Sequence, residues 1–262
     1  MNINIRLSEP KDYDEVENLT REAFWGLNHP DCDEHFLVHK IRKCSEYIPK
    51  LDFVAEIDGK IVGNIIYTRS KVIDKNGNAY ETINFGPLSV LPEYKNMGIG
   101  KALLNHTIKE ARSLGYRGIL FYGHPDYYPK VGFQRAEEFN ITTSKGMNFD
   151  AFMAMPLYEG AFDGISGKYY EASAFYDITK EEKEKFDEKF PSKEKAVMIS
   201  AEELISKLSP DAEEALIKNN IKNLCDIRRF SQREVSLWEG IDDDAIETIK
   251  KHMAEKGYIW GI

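Results

Sequence analysis

The chain has 262 residues, of which 42% are hydrophobic and 30% are charged, and its formal net charge is −9. This composition is typical of a soluble globular protein with one large domain or a domain and an appendage. The negative charge makes nucleic acid an unexpected partner, since bulk electrostatics would repel a polyanion. No apolar run approaches the roughly 18 residues that a membrane span requires, so we expect a cytoplasmic location without membrane contact.

The first part of the chain combines helical patterns with β-rich runs. Asp58-Gly59 lies between two apolar β-rich runs and predicts a hairpin, and Asn76-Gly77 marks a second turn. The predicted elements here are a strand at 3–7, helices at about 11–23 and 34–44, and a strand at about 80–90.

The next part predicts a helix that ends near Leu114 and a buried strand over 119–123. Two further β-like runs follow, near 138–143 and 150–157. The element order is β-α-α-β-β-β-α-β-α-β. This order predicts an α+β fold in which helices flank a mixed central sheet.

The last part of the chain changes character. Residues 179–195 are strongly charged and predict a solvated helix ending before Pro191, followed by a linker. Residues 201–262 are rich in Leu and Ile and lack strand patterns. We therefore predict three units, which are a main domain over 1–175, a charged helix and linker over 176–200, and a small all-α domain over 201–262.

Two glycines, Gly98 and Gly100, stand where an apolar run gives way to a helical pattern. A glycine turn before a helix exposes backbone N–H groups at the positive end of the helix dipole, which suits a phosphate. A Walker A loop is excluded because Ala102 follows Lys101, and Leu103 does not fit a dinucleotide-binding fingerprint. Taken alone, a pair of glycines at such a turn is more often just a tight turn.

The segment Val90-Leu-Pro-Glu-Tyr-Lys-Asn-Met-Gly-Ile-Gly100 resembles the acetyl-CoA motif of the GNAT superfamily of N-acetyltransferases. Tyr128-Pro-Lys-Val-Gly-Phe133 is similar to the family's Tyr-x-x-x-Gly-Phe element. Gly86-Pro-Leu88 and the segment 123–128 resemble the YhbS-like bacterial branch. The resemblance covers about residues 3–175. Lys95 departs from the Arg or Gln that is usual in the family.

The resemblance implies an acyl-CoA N-acyltransferase fold and a reaction in which an unidentified amine directly attacks acetyl-CoA, with no metal. The strands over about 80–90 and 119–123 would splay, and Leu88 and Val90 would pair with pantetheine. An N–H near Val90 would polarise the thioester carbonyl. Tyr128 would be the general acid, its alternative role being a core aromatic. The residues implied to hold the diphosphate are Lys95, Asn96, Met97, Gly98, Ile99, Gly100 and Lys101.

The general base is open among Glu34, His35, His124 and Asp126, and a water chain is a further alternative. Glu34 and His124 are the candidates we retain as catalytic. The loop over 25–35 would cover the acceptor pocket, so Trp25 and His35 are predicted to bind substrate. Its Cys-Asp-Glu-His string does not predict a metal site, since four adjacent residues cannot all face one ion. Cysteines 32, 44 and 225 are too scattered for a disulfide framework or a zinc site.

Residues 201–262 resemble the helix-hairpin-helix domain at the C-terminus of the bacterial RNA polymerase α subunit. The landmarks are Ile221–Leu224, Phe230–Glu234 and Gly240-Ile241. Asp242–Asp244 then stand where a phosphate would dock, so a protein-contact or lid module is favoured over DNA binding. An enzyme is preferred to the alternative, a CoA-sensing regulatory protein, because Tyr128 is present. A homodimer is left open.

Overall fold

The computed structural model describes residues 2–27, 29–258 and 260. Its centre is a nine-stranded mixed sheet with the neighbour order β1-β2-β3-β4-β5-β8-β6, and β9 joins β3 to β7. All neighbouring pairs are antiparallel except β4 with β5 and β7 with β9. The strands are β1 Asn4–Leu7, β2 Phe53–Ile57, β3 Lys60–Ile73, β4 Ala79–Val90, β5 Gly118–Tyr122, β6 Gln134–Arg135, β7 Ile141–Thr143, β8 Phe152–Pro156 and β9 Gly167–Tyr170.

Helices α1 and α3 cover opposite faces of the sheet. The Ser89 hydroxyl in β4 donates to Thr20 of α1 at 3.1 Å. On the other face, a Cβ added at Gly63 in β3 would lie 3.0 Å from Leu103 of α3, so glycine permits the close approach of that helix. The helices are α1 Tyr13–Phe24, α2 Glu34–Ile41, α3 Ile99–Ser113, α4 Lys180–Asp187, α5 Glu202–Ile205, α6 Pro210–Lys218, α7 Leu224–Ile227, α8 Gln232–Ser236 and α9 Asp243–Glu255.

These elements confirm the predicted α+β class, with a mixed sheet and helices at the C-terminus. Differences are confined to the region after β5. The predicted strand near 138–143 is divided, because Ala136–Phe139 form a 3-10 turn and only Ile141–Thr143 are extended. The sequence patterns also did not indicate β9, which lies on the edge of β3 and pairs Val72 with Tyr169.

Helix α4 is packed against α2 and the loop before it and is not the solvated helix expected from its charge. Lys183 is buried and bonds to Asp31 at 3.1 Å and to Asp187 at 3.2 Å. The Phe186 ring lies 5.0 Å from Phe36 of α2. The charges of this segment are therefore partnered across the chain. The helix does end before Pro191, as predicted.

Helices α5–α9 form a compact unit with its own apolar core, built from side chains such as Leu204, Leu216, Ile249 and Met253. Asp242 caps α9 by accepting a hydrogen bond from the Ala245 N–H at 2.8 Å. The acidic triplet therefore serves as a helix start. We call helices α5–α9, their loops and residues 256–258 the appendage.

Candidate active site

The turn between β4 and α3 forms an open cradle of backbone groups. A 3-10 turn over Pro92–Tyr94 follows β4, and α3 begins at Ile99 with Gly98 as its N-cap. Gly98 has φ of 82°, a left-handed conformation that strains other residues, and a Cβ there would meet no atom within 4 Å. Glycine gives the helix no capping side chain, so the first-turn N–H groups of α3 are suited to bind an anion.

A cavity of about 650 Å³ lies over this cradle. Seven of the nine predicted cofactor residues line it, namely Val90, Lys95, Asn96, Gly98, Ile99, Gly100 and Lys101. Met97 does not line the cavity and is half exposed. Leu88 instead lines the neighbouring acceptor cavity described below. The far wall comes from the appendage, through Arg228, Gly257 and Tyr258.

Strands β4 and β5 separate beside the cradle. Their ladder has one register pair, Ile83 with Ile119, although β4 continues to Val90 and β5 to Tyr122. The other edge of β4 is paired with β3, with Val90 opposite Gly63. The described strands thus leave the end of β4 without a partner strand on its β5 side. This is the opening that the sequence led us to expect.

Tyr128 stands at the mouth of this opening, packed among aromatic rings. Its ring centroid lies 4.5 Å from that of Phe121 and 5.8 Å from that of Phe85. A Cβ added at Gly123 would lie only 2.4 Å from a Tyr128 ring carbon, so only glycine leaves room for this ring. Burial raises the pKa of the Tyr128 hydroxyl, which therefore keeps its proton at neutral pH.

A second cavity, of about 380 Å³, adjoins Tyr128, and we call it the acceptor cavity. Its walls are mainly aromatic or apolar, and they hold two carboxylates, Glu34 from α2 and Glu171 from the residue after β9. Burial raises the pKa of both carboxyl groups, and that of Glu171 reaches about 7. The lining residues are Phe24, Glu34, Leu37, Phe85, Gly86, Pro87, Leu88, Phe121, Tyr122, Tyr128, Glu171 and Phe175.

His124 and Asp126 line neither cavity. Burial, reinforced by the charges of Arg228 and Lys130, lowers the pKa of His124 to about 4, so its ring is neutral at pH 7. His124 Nδ1 accepts a hydrogen bond from the Asp126 N–H at 3.3 Å. The structure therefore brings Tyr128 and Glu34 together but leaves His124 in the turn behind them.

His35 and Trp25, which were predicted to bind substrate, do not line the acceptor cavity. His35 is fully buried, and its Nε2 lies 2.6 Å from Asp187 of α4. Its Nδ1 lies 3.3 Å from the Cys32 sulfur. Trp25 donates its indole N–H to the Glu194 carbonyl at 3.0 Å. Both side chains therefore bond to the segment over 187–194.

Within residues 2–27, 29–258 and 260, no group of three or more His, Cys, Asp or Glu side chains could hold a metal ion. Over the same residues, no helix is long and apolar enough to span a membrane.

Comparisons with known proteins agree with this geometry. Residues 51–135 match the family model described as an acetyltransferase (GNAT) domain. The chain is 29% identical over 128 residues to the uncharacterized N-acetyltransferase YjhQ of Escherichia coli, which covers 49% of this chain and 67% of that protein. It is 25% identical over 171 residues to the uncharacterized N-acetyltransferase YhbS of the same organism, covering 64% of this chain and 96% of YhbS.

Two solved structures share the fold. The E. coli YhbS structure, a complex with CoA, aligns with a TM-score of 0.60 at 22% identity and covers 68% of this chain and 93% of its own. A GNAT family acetyltransferase from Brucella melitensis, in complex with acetyl-CoA, aligns with a TM-score of 0.53 at 25% identity, covering 66% and 98%. The chain thus contains a GNAT acetyltransferase domain. It is an N-acetyltransferase by class.

Proposed function

We propose that the protein transfers an acetyl group from acetyl-CoA to an amine by direct attack while both substrates are bound. The observation that carries this proposal is the arrangement around the separated strands. The α3 cradle lies at one end of the opening, and Tyr128 and the acceptor cavity lie at the other. A thioester held in the opening would meet an amine from the acceptor cavity.

The cradle fits a diphosphate because its donors are backbone N–H groups of 97–101, where no side chain needs to move. Lys95 and Lys101 add positive charge at the same cavity. The free edge of β4 at Leu88 and Val90 would pair with the pantetheine amides. The Val90 N–H region would then polarise the thioester carbonyl, as in an oxyanion hole.

In the reaction, the amine nitrogen forms a bond to the carbonyl carbon, and the carbon–sulfur bond breaks. Tyr128 donates its proton to the departing thiolate sulfur, and a base removes one proton from the amine nitrogen. Tyr128 suits the acid role because burial keeps it protonated until the sulfur gains charge. Holding both reactants in one opening supplies much of the remaining rate enhancement.

Glu171 joins Glu34 as a base candidate, since both line the acceptor cavity. We assign the proton transfer to Glu171, because a pKa of about 7 lets it accept a proton near neutral pH. Glu34 accepts a hydrogen bond from the Asp33 N–H at 3.1 Å. Its carboxylate would attract the acceptor as an ammonium, which releases one proton to solvent before the free amine attacks. His124 has no place in this scheme, because it lines neither cavity.

The acceptor cavity also suggests the class of acceptor. Aromatic rings and two carboxylates favour a small amine with an apolar body, since rings bind cations through their faces and carboxylates through charge. A panel of amines assayed by thiol release from acetyl-CoA tests this. We expect apolar primary amines to be turned over with higher kcat/KM than amines that carry a carboxylate. The reverse order would contradict the proposed acceptor class.

Tyr128→Phe tests the chemistry. We expect kcat to fall by about 10²- to 10⁴-fold, which is typical for loss of a general acid, while acetyl-CoA affinity measured by calorimetry stays within twofold. Gly98→Glu tests the cradle, since a carboxylate in the diphosphate position should abolish binding. Unchanged affinity in Gly98→Glu would refute the cradle assignment.

A further inference from the structure

The cavity over the α3 cradle is enclosed from two directions. One side belongs to the GNAT domain, and the other belongs to the appendage, which is distant in sequence. The residues that face each other across the cavity are Lys95, Lys101 and Tyr127 on the first side and Arg228, Gly257 and Tyr258 on the second. Neither half of the cavity is complete without the other.

The described lining of this cavity has three cationic side chains, Lys95, Lys101 and Arg228, and no acidic one. This is unusual in a chain of net charge −9. Arg228 is half-buried, and burial lowers its pKa. Burial also lowers the pKa of Lys95, and the positive charge of Arg228 lowers it further. Like charges held this close favour an anion between them.

The appendage is fixed to the GNAT domain by the buried carboxylate of Asp150, in the turn before β8. Arg233 donates two hydrogen bonds to it, at 2.6 and 3.0 Å, and the Ser231 hydroxyl donates a third at 2.6 Å. In return, the Asp150 N–H donates to Glu234 at 3.0 Å. A bidentate arginine pair of this kind sets orientation as well as energy.

This anchor determines where Arg228 lies. Arg228 is the C-cap residue of α7, three residues before Ser231, and its guanidinium donates to the Leu27 carbonyl at 3.5 Å. Its side chain is therefore held between two fixed points, one on each side of the cavity. An arginine placed in this way can hold a phosphate with little further loss of side-chain freedom.

We propose that the appendage is part of the acetyl-CoA binding site. In this site Arg228 binds the CoA diphosphate opposite the N-terminus of α3. This inference rests on the proposed function. It gives the C-terminal unit a role in binding the nucleotide substrate, and it does not require a nucleic acid or another protein.

The test is calorimetric titration of the full chain with acetyl-CoA. Arg228→Gln should weaken binding about 10- to 100-fold, the range for a lost charge-assisted hydrogen bond. Arg229→Gln is the matched control, since Arg229 is exposed, pairs with Asp226 at 3.2 Å and does not line the cavity. Arg228→Lys should recover part of the affinity. Equal or tighter binding by Arg228→Gln would overturn the proposal.

Acetyl-CoA that lacks its 3′-phosphate separates the two phosphate positions. Because this analogue keeps the diphosphate, Arg228→Gln should weaken binding of the analogue by the same factor as binding of acetyl-CoA. A loss seen only with the 3′-phosphate present would overturn the diphosphate assignment. If the wild type bound no acetyl-CoA, or Gly98→Glu bound it normally, the proposed function itself would fail, which is a different outcome.

Asp150→Lys provides a second route if Arg228→Gln does not fold. It places a cation against Arg233 and so releases the anchor without touching the cavity. We expect weaker acetyl-CoA binding, while the far-UV circular dichroism spectrum of the chain stays that of a folded protein. A folded Asp150→Lys variant with wild-type affinity would count against the proposal.

Discussion

Glu171→Gln should make the protein more stable at high pH and much less active. Burial raises the pKa of Glu171 from an ordinary 4.5 to about 7, while hydrogen bonds with Tyr176 and Asn84 oppose this rise. The difference corresponds to roughly 3 kcal/mol, which the fold loses as pH rises from about 4.5 to 7 and the buried carboxyl ionises. An amide of the same size does not ionise and avoids that loss.

The assay is urea unfolding of the wild type and Glu171→Gln at pH 5 and pH 8. We expect similar free energies of unfolding at pH 5 and an advantage of about 2 to 3 kcal/mol for the variant at pH 8. Glu159→Gln is the control, because Glu159 is an exposed loop carboxylate outside both cavities. In parallel, kcat/KM of the wild type should rise with pH through about 7, and the variant should lack this rise. A stability difference that is the same at both pH values would refute the reasoning.

Three further predictions concern geometry. Gly123→Ala should lower kcat at least tenfold, because its Cβ would lie 2.4 Å from the Tyr128 ring; full turnover would show that the ring has room. Gly98→Ala should lower Tm by about 2 to 8 °C through its left-handed backbone, whereas Gly100→Ala, whose Cβ makes ordinary contacts, should not. His35→Ala should lower the free energy of unfolding, measured with urea, by about 2 to 4 kcal/mol, because His35 is hydrogen-bonded to Asp187. It should leave KM for the amine unchanged, and a raised KM would support the substrate-binding role predicted from the sequence.

The cradle could be predicted because its signal is local. Gly98, the preceding apolar strand and the following helix are neighbours in sequence, and the Tyr128 element supplied a second local pattern. The same holds for the hairpin at Asp58-Gly59, where the turn dipeptide fixes the pairing of β2 with β3. Short-range rules of turn and helix chemistry decide these features.

Long-range contacts decided what the sequence patterns missed. β9 has four residues, and its partners in β3 lie about a hundred positions earlier, so no periodicity indicates it and Glu171 went unnoticed. His35 was predicted to bind substrate because its loop was expected to cover the acceptor pocket, and its partner Asp187, 152 residues away, could not be foreseen. Arg228 and its neighbour Arg229 are a basic pair in an acidic segment, which could have suggested an anion site.

The bond network at Asp150 has a kinetic consequence. If Arg228 binds the CoA diphosphate as proposed, release of CoA past Arg228 requires the appendage to tilt outward, which strains the contacts of Asp150 with Ser231 and Arg233. We therefore expect the dissociation rate of CoA to rise with added salt, as the anchoring pair is screened.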